Sequence, residues 1–274
     1  MKRKIAFFGF IFLYTLVLAQ GNLLVNPIRV VFEGSKQTQD LNLSNIGKDS
    51  AVYLVSFVHY LMKEDGRFEQ LEKPDTTFSA DKFLRLFPRK VVLPPGESQT
   101  IRLQLRKPSN LKQGEYRTHI YFRAEKETSP LGMQSLTPDS SKMAVRITPV
   151  FGISIPVIVR NGNLTNKVTL SEPQLTALND SISRCTVAIH RTGLKSAYGN
   201  LIAEFHPVTG PKVEIGIANG VGIYPEISKR YFSFLIHNKF IKNNAGKIVI
   251  RFMAASEDGG AEISRTLLPV NPTK

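Results

Sequence analysis

Groups able to do chemistry are few and scattered in this sequence. Five histidines, His59, His119, His190, His206 and His237, fall singly on alternating segments, with no His-x-His or His-Glu-x-x-His spacing. A zinc centre needs three or four ligands brought together, so no metal site is expected. The one cysteine, Cys185, excludes a disulfide framework and any cysteine-rich zinc or iron–sulfur centre within the chain. No Gly-x-Ser-x-Gly elbow, phosphate-binding loop or Gly-x-Gly-x-x-Gly turn occurs. Glu64-Asp65 and Glu257-Asp258 sit in turn sequences, where solvation accounts for paired carboxylates. These residues argue against an enzyme and against any cofactor, with an unrecognised hydrolase on a β-sandwich as the catalytic alternative.

What the sequence does offer is the chemistry of a strand edge. From Met143 to Arg160 the chain is almost unbroken strand-forming sequence, roughly 60 Å if fully extended at ~3.3 Å per residue and more than one sandwich needs. Met143, Val145 and Ile147 alternate with Ala144, Arg146 and Thr148, and Phe151, Ile153, Ile155, Val157 and Val159 continue apolar on one parity. Two readings stand side by side. The first half is an exposed apolar edge, normally an aggregation liability but useful where strand addition to a partner is the function. Alternatively, the strand bends and serves both sheets of one sandwich.

Period-2 segments must position these residues. Thr100–Leu105 places Ile101, Leu103 and Leu105 on one face and Arg102 and Gln104 on the other, the pattern of a half-buried strand. Further strands are expected at Leu23–Phe32, Asp40–Asn45, Ala51–Met62, Phe83–Phe87, Lys90–Leu93 and Tyr116–Ala124, separated by turns such as Glu64-Asp65-Gly66, Pro94-Pro95-Gly96-Glu97 and Lys112-Gln113-Gly114. Gly114-Glu115-Tyr116 reads either as a tyrosine corner, whose hydroxyl bonds back across the bend, or as a plain strand-start tyrosine. After the polar stretch Asn161–Asn166 a second series follows at Lys167–Leu170, Arg184–His190, Asn200–His206, Lys212–Ile217, Arg230–His237, Lys247–Ala254 and Glu262–Leu268. The fold class is therefore all-β: two β-sandwich domains in tandem, residues 21–161 and 162–274.

The chain has 274 residues, 42% of them hydrophobic and 21% charged, which excludes a disordered chain. Lys2, Arg3 and Lys4, the apolar run Ile5–Leu18 and the small residue Ala19 describe a cleaved secretory signal peptide over residues 1–20, with an uncleaved amino-terminal anchor as the alternative. That run is too short for a membrane span, which needs ~20 apolar residues, and no second long one occurs, so no transmembrane span is expected in the mature chain. Export makes an accessible lone thiol an oxidation liability, so Cys185 is expected in a core as a small hydrophobe. The formal net charge of +14 is carried by scattered rather than clustered basic residues, and with export this argues against a nucleic-acid partner.

Asn26-Pro27-Ile28-Arg29-Val30-Val31-Phe32-Glu33-Gly34, followed by Asp40-Leu41-Asn42-Leu43-Ser44-Asn45, resembles the opening of the PapD-like periplasmic pilus-assembly chaperones. Phe87-Pro88-Arg89 through Ile101-Arg102 resembles that family's proline-rich stretch before its fifth strand, and Glu115–Ala124 and the long Met143–Arg160 segment follow in the family's order. The resemblance spans about the first domain; the second matches by size, strand count and position. It implies two immunoglobulin-like domains in a boomerang and a periplasmic chaperone that caps fimbrial or other surface-assembly subunits by donor-strand complementation. An outer-membrane usher would then take the subunit. Met143, Val145 and Ile147 would be the donor strand and Arg29 the first anchor of the subunit's terminal carboxylate. The family's second basic anchor falls on Ser154 or Pro156, neither charged, which leaves Arg146 or Arg160 as substitutes. Arg160 better matches an arginine that forms an interdomain salt bridge with a glutamate at Glu115, and the aspartate of that bridge falls near Asn243, so one charge of the network is expected to be missing. A structural or adhesive surface protein built from the same sandwiches is the alternative.

Overall fold

The computed structural model describes residues 23–73, 78–125, 152–242 and 244–271. Two sandwiches follow one another along the chain. The first contains β1 (Leu23–Asn26), β2 (Val30–Phe32), β3 (Thr38–Asn45), β4 (Ala51–Met62), β5 (Phe68–Leu71), β6 (Leu84–Phe87), β7 (Lys90–Leu93), β8 (Ser98–Leu105), β9 (Gly114–Glu125) and β10 (Gly152–Asn161). One sheet runs β1-β3-β8-β6; the other runs β2-β10-β9-β4-β5, with β7 also on β4. Their inner faces meet in a core that includes Phe32, Leu41, Leu43, Ile101, Leu103, Ile120, Phe122 and Val157, the alternate residues that the period-2 pattern marks for burial.

The expected strand Leu23–Phe32 is two strands. β1 pairs antiparallel with β3, while β2 crosses to the other sheet and pairs parallel with β10. The break falls at Pro27-Ile28-Arg29, where proline has no N–H to continue the ladder. Leu23 and Val25 therefore enter the core from one sheet, Val30 and Phe32 from the other. A four-residue strand that the alternation was too short to reveal, β5, folds back on β4 through the turn at Gly66, whose φ of 82° suits glycine.

The second sandwich comprises β11 (Asn166–Ala177), β12 (Ile182–Gly193), β13 (Ala197–Pro207), β14 (Val213–Ile223), β15 (Lys229–His237), β16 (Gly246–Ala254) and β17 (Glu262–Val270), in sheets β11-β12-β15 and β14-β13-β16-β17. Both sides of this sandwich are closed. β11 meets β17, where the Leu170 amide donates to the Ser264 hydroxyl at 3.1 Å. On the other side β14 lies so near β15 that a Cβ on Gly216 would fall 2.7 Å from the Leu235 carbonyl oxygen. Residues 162–165 link β10 to β11 and are tied back to the preceding turn: Gln113 Nε2 donates to the Asn163 carbonyl at 2.8 Å, and Asn161 Nδ2 to that of Leu111 at 2.8 Å.

Two local expectations are met. Tyr116 is buried and its hydroxyl donates to the Lys112 carbonyl at 2.9 Å, a tyrosine corner in geometry. Cys185 is fully buried among Val187, Phe234 and their neighbours, and burial pushes its thiol up to about 12.

A bulky disulfide reagent at pH 8 is therefore expected to label Cys185 only after denaturant is added; rapid native labelling would place the thiol outside the core. Tyr116→Phe should lower unfolding stability in urea by ~1 kcal/mol, the net worth of one buried hydrogen bond, with the far-ultraviolet spectrum unchanged.

Candidate functional site

Parity decides which side chains of the first sandwich face the second. On β9, Tyr116, Ile120 and Phe122 point into the core, which puts Glu115, Arg117 and His119 on the opposite face. On β10, Ile155, Val157 and Val159 point inward, and Ser154, Pro156, Ile158 and Arg160 do not. The ladder sets Arg160 against Glu115, Ile158 against Arg117, Pro156 against His119 and Ser154 against Tyr121. β2 begins its pairing at Val30 with Val157, so Arg29, one residue earlier, comes level with Pro156.

Among the described residues, an apolar cluster of Met62, Ile158 and Val31 with Tyr224 and Ile227 joins this face to the second sandwich, and three contacts through charged side chains surround it. In the first, Arg160, 3% exposed, donates through Nε to Glu115 Oε2 at 3.1 Å and through Nη1 to Glu33 Oε2 at 2.8 Å. Glu115, equally buried, accepts at that same oxygen from the Ser196 amide (3.1 Å) and hydroxyl (2.9 Å), which belong to the β12–β13 connection. Burial alone would lower the pKa of Arg160, but the charges of Glu115 and Glu33 outweigh it and the pKa is raised. A third carboxylate, Asp258, lies 3.7 Å from Arg160 Nη1 and accepts from Lys195 Nζ at 3.1 Å. The charge expected to be missing from the network is thus supplied from the β16–β17 connection; Asn243 itself lies outside the described residues. Neither Glu33 nor Asp258 carries a spacing signal that ties it to Arg160 in sequence.

The second contact was invisible in the sequence. Arg117 pairs with Glu226, donates to the Tyr60 carbonyl at 2.9 Å, and places its guanidinium carbon 3.7 Å from the centre of the Tyr224 ring. Glu226 also accepts the Met62 amide at 3.1 Å, and the Tyr231 amide donates to the Glu64 carbonyl at 2.7 Å. The β4–β5 hairpin is thereby pinned to the strands on either side of residue 226. The third contact is that of Arg29. It is 9% exposed and its guanidinium carbon sits 4.3 Å from the centre of the Tyr198 ring, so the side chain is buried rather than waiting in water.

The histidines stay apart. His119, 5% exposed, lies edge-on to Tyr60 and Phe68, with centroids 5.0 and 5.7 Å away. Burial pulls its pKa down to about 3, with the nearby charges of Arg117 and His59 adding to the effect. His59 meets Ser79 and Asp81, a trio of hydrolase type, but the Ser79 hydroxyl donates to Asp81 Oδ1 at 2.6 Å. Its single hydrogen is used there, so Nδ1 of His59, 3.2 Å away, can only donate to the hydroxyl and cannot act as its base. Among the described residues no cluster of three or more His, Cys, Asp or Glu is arranged to hold a metal ion, and no helix is long and apolar enough to cross a membrane. Met143, Val145, Arg146 and Ile147 lie outside the described residues.

β10 is asymmetric in its pairing. β9 accompanies it over its whole length from Gly152 to Asn161, but β2 flanks it only at Val157–Val159. Gly152–Pro156 therefore have no strand on their other side among the described residues, and Arg29 stands where β2 begins.

Because His119 is neutral in the folded chain and ordinary when unfolded, the unfolded state alone takes up a proton below pH ~6.5, and stability falls as pH drops from there toward 3. Between pH 7 and 5 this histidine should cost about 2 kcal/mol, the slope approaching ~1.4 kcal/mol per pH unit well below 6.5. His119→Leu, compared with the parent chain by urea unfolding at pH 7 and pH 5, is expected to remove that part of the acid sensitivity; equal pH slopes would refute the assignment.

No family model and no curated relative matches this sequence. Solved structures do. The YadV chaperone aligns over 91% of this chain and all of its own, at 12% identity and a TM-score of 0.47. The class 5 fimbriae chaperone CfaA aligns over 92% of this chain and all of its own, at 17% identity and 0.45. The E. coli chaperone DraB aligns over 92% and 96%, at 13% identity and 0.42. The chain resembles these chaperones.

Proposed function

We propose that this chain is a periplasmic, non-catalytic chaperone that holds fimbrial or other surface-assembly subunits by lending them a strand. The signal peptide would be residues 1–20, the strand-lending domain 21–161 and the second domain 162–274. The observation that carries the reading is the Gly152–Pro156 edge of β10, which no strand flanks on its second side among the described residues, with Arg29 at its inner end. A partner strand laid along that edge ends where β2 begins. If it runs parallel to β10 its C-terminal carboxylate arrives at Arg29; if antiparallel, its N-terminal ammonium does. A guanidinium favours the first arrangement and repels the second, and it can take a carboxylate bidentately, which sets register as well as adding energy.

Upstream on the same segment, Met143, Val145 and Ile147 would fill apolar pockets of the subunit, each worth ~1.5–3 kcal/mol when moved out of water, while ladder bonds give affinity along the edge. Arg146 is the proposed second anchor, since Ser154 and Pro156 carry no charge. Glu115 and Arg160 would serve as the interdomain bridge. An outer-membrane usher that later removes the subunit completes the proposed cycle.

Co-expression with a small immunoglobulin-like subunit made without its last strand is expected to yield a soluble one-to-one complex. Replacing both Val145 and Ile147 with Asp should abolish capture and leave the melting of the free chain within a few degrees, because charges facing an apolar groove are costly but on a free edge are solvated. Failure of that variant to fold would assign those side chains to the chain's own core. Arg29→Lys, which keeps the charge but loses the fork, should cost about 2 kcal/mol of subunit affinity; unchanged affinity would sink the carboxylate reading.

A further inference from the structure

Arg191 belongs to β12 and follows Cys185, Val187 and Ile189 on the core-facing parity of that strand, yet it carries a charge and is only 5% exposed. Among the described residues its guanidinium donates to backbone carbonyls alone, and these fall in two groups. Nη1 donates to the carbonyls of Gly193 at 2.7 Å and Lys195 at 3.2 Å, in the β12–β13 connection. Nη2 donates to those of Pro225 at 3.1 Å and Ile227 at 3.5 Å, in the β14–β15 connection, which the Arg191 amide also holds through the Ser228 carbonyl at 2.8 Å. The first group runs up to Ser196 and the second flanks Glu226 on both sides. Ser196 donates to Glu115, and Glu226 accepts from Arg117 and from the Met62 amide. One side chain thus holds both segments through which the second sandwich reaches the first.

Only a guanidinium serves two segments in this way, because its N–H groups point apart in a rigid plane, whereas an ammonium is a single point. Burial lowers the Arg191 pKa, and the charges of Glu115 and Glu226 work against that loss. Each of those acids is bonded by an arginine of the first sandwich and lies within electrostatic reach of Arg191 in the second. If one connection shifts alone, Arg191 either loses two acceptors and keeps buried donors unmet, or follows and abandons the other connection.

We infer that Arg191 is a positioning residue that ties the two interdomain contacts into one unit, so that Ser196 with Glu115 and Glu226 with Arg117 open and close together. The inference is independent of what the chain binds.

Backbone amide exchange in the full mature chain reads each contact by itself, since the Ser196 amide donates to Glu115 and the Met62 amide to Glu226. Glu226→Gln is expected to lower the protection of the Ser196 amide, and Ser196→Ala that of the Met62 amide, by about fivefold or more, as for two coupled sites. The amide of Ile250, in the core of the second sandwich, should keep its protection. In Arg191→Lys these crossed effects should shrink to about twofold or less. Crossed effects absent from the parent, undiminished in Arg191→Lys, or matched by an equal fall at Ile250 would overturn the inference. A further measurement needs no Arg191 variant: in ¹⁵N-arginine-labelled chain, the Arg191 Nη hydrogens should give separate signals because four carbonyls hold the group, and both Glu226→Gln and Ser196→Ala should shift them. Averaged signals, or a response to one variant alone, overturn the coupling.

Discussion

The structure hangs on one buried carboxylate. Glu115 is out of water and ionic, so it must be met by donors, and it takes them from both sides: Arg160 from its own sheet, and the backbone amide and hydroxyl of Ser196 from the other sandwich. A buried ion pair adds little net stability when intact, because desolvation cancels most of its attraction, but it is expensive to leave half-made. Pulling the sandwiches apart would remove two of the donors to Glu115 at once. The charge therefore acts less as glue than as a penalty on every other relative placement, and Glu33, Asp258 and Lys195 extend the same logic outward to the solvent.

That constraint matters because the two sandwiches treat their edges differently. In the second, β11 against β17 and β14 against β15 leave little room for an added strand. In the first, the edge of β10 is shared: β2 takes Val157–Val159 and stops. β2 is short because Pro27 forces the chain to leave one sheet before entering the other. The bend that results brings Arg29 to the boundary between the part of the edge that β2 takes and the part that no described strand flanks. A backbone constraint and a charge thus coincide at one place, next to the second sandwich that supplies Tyr198.

How much of this could be read from the sequence follows from how local each feature is. Alternation located most strands to within a few residues, since one parity of each segment had to be buried. Gly114-Glu115-Tyr116 announced the corner at Tyr116 because the hydrogen bond it makes spans four residues. Glu115 and Arg160 came through a family resemblance, not through spacing. Glu226, Asp258 and Tyr198 had no signal: each meets a partner more than ninety residues away, through contacts made only when the sandwiches are already side by side. β5 escaped because Phe68-Glu69-Gln70-Leu71 has only two apolar positions, too few to establish a period.

Only residues 162–165 separate β10 from β11, and they are fastened to the turn before Tyr116. A tether that short confines the second sandwich to a small volume around the first, so Ser196 and Tyr198 meet Glu115 and Arg29 at an effective concentration of the order of millimolar or above. Contacts too weak to unite two separate molecules are enough here, because the covalent link has already carried the entropic cost of bringing the halves together. The apolar contact of Met62 and Ile158 with Tyr224 and Ile227 can consequently be modest, with the polar residues around it fixing orientation.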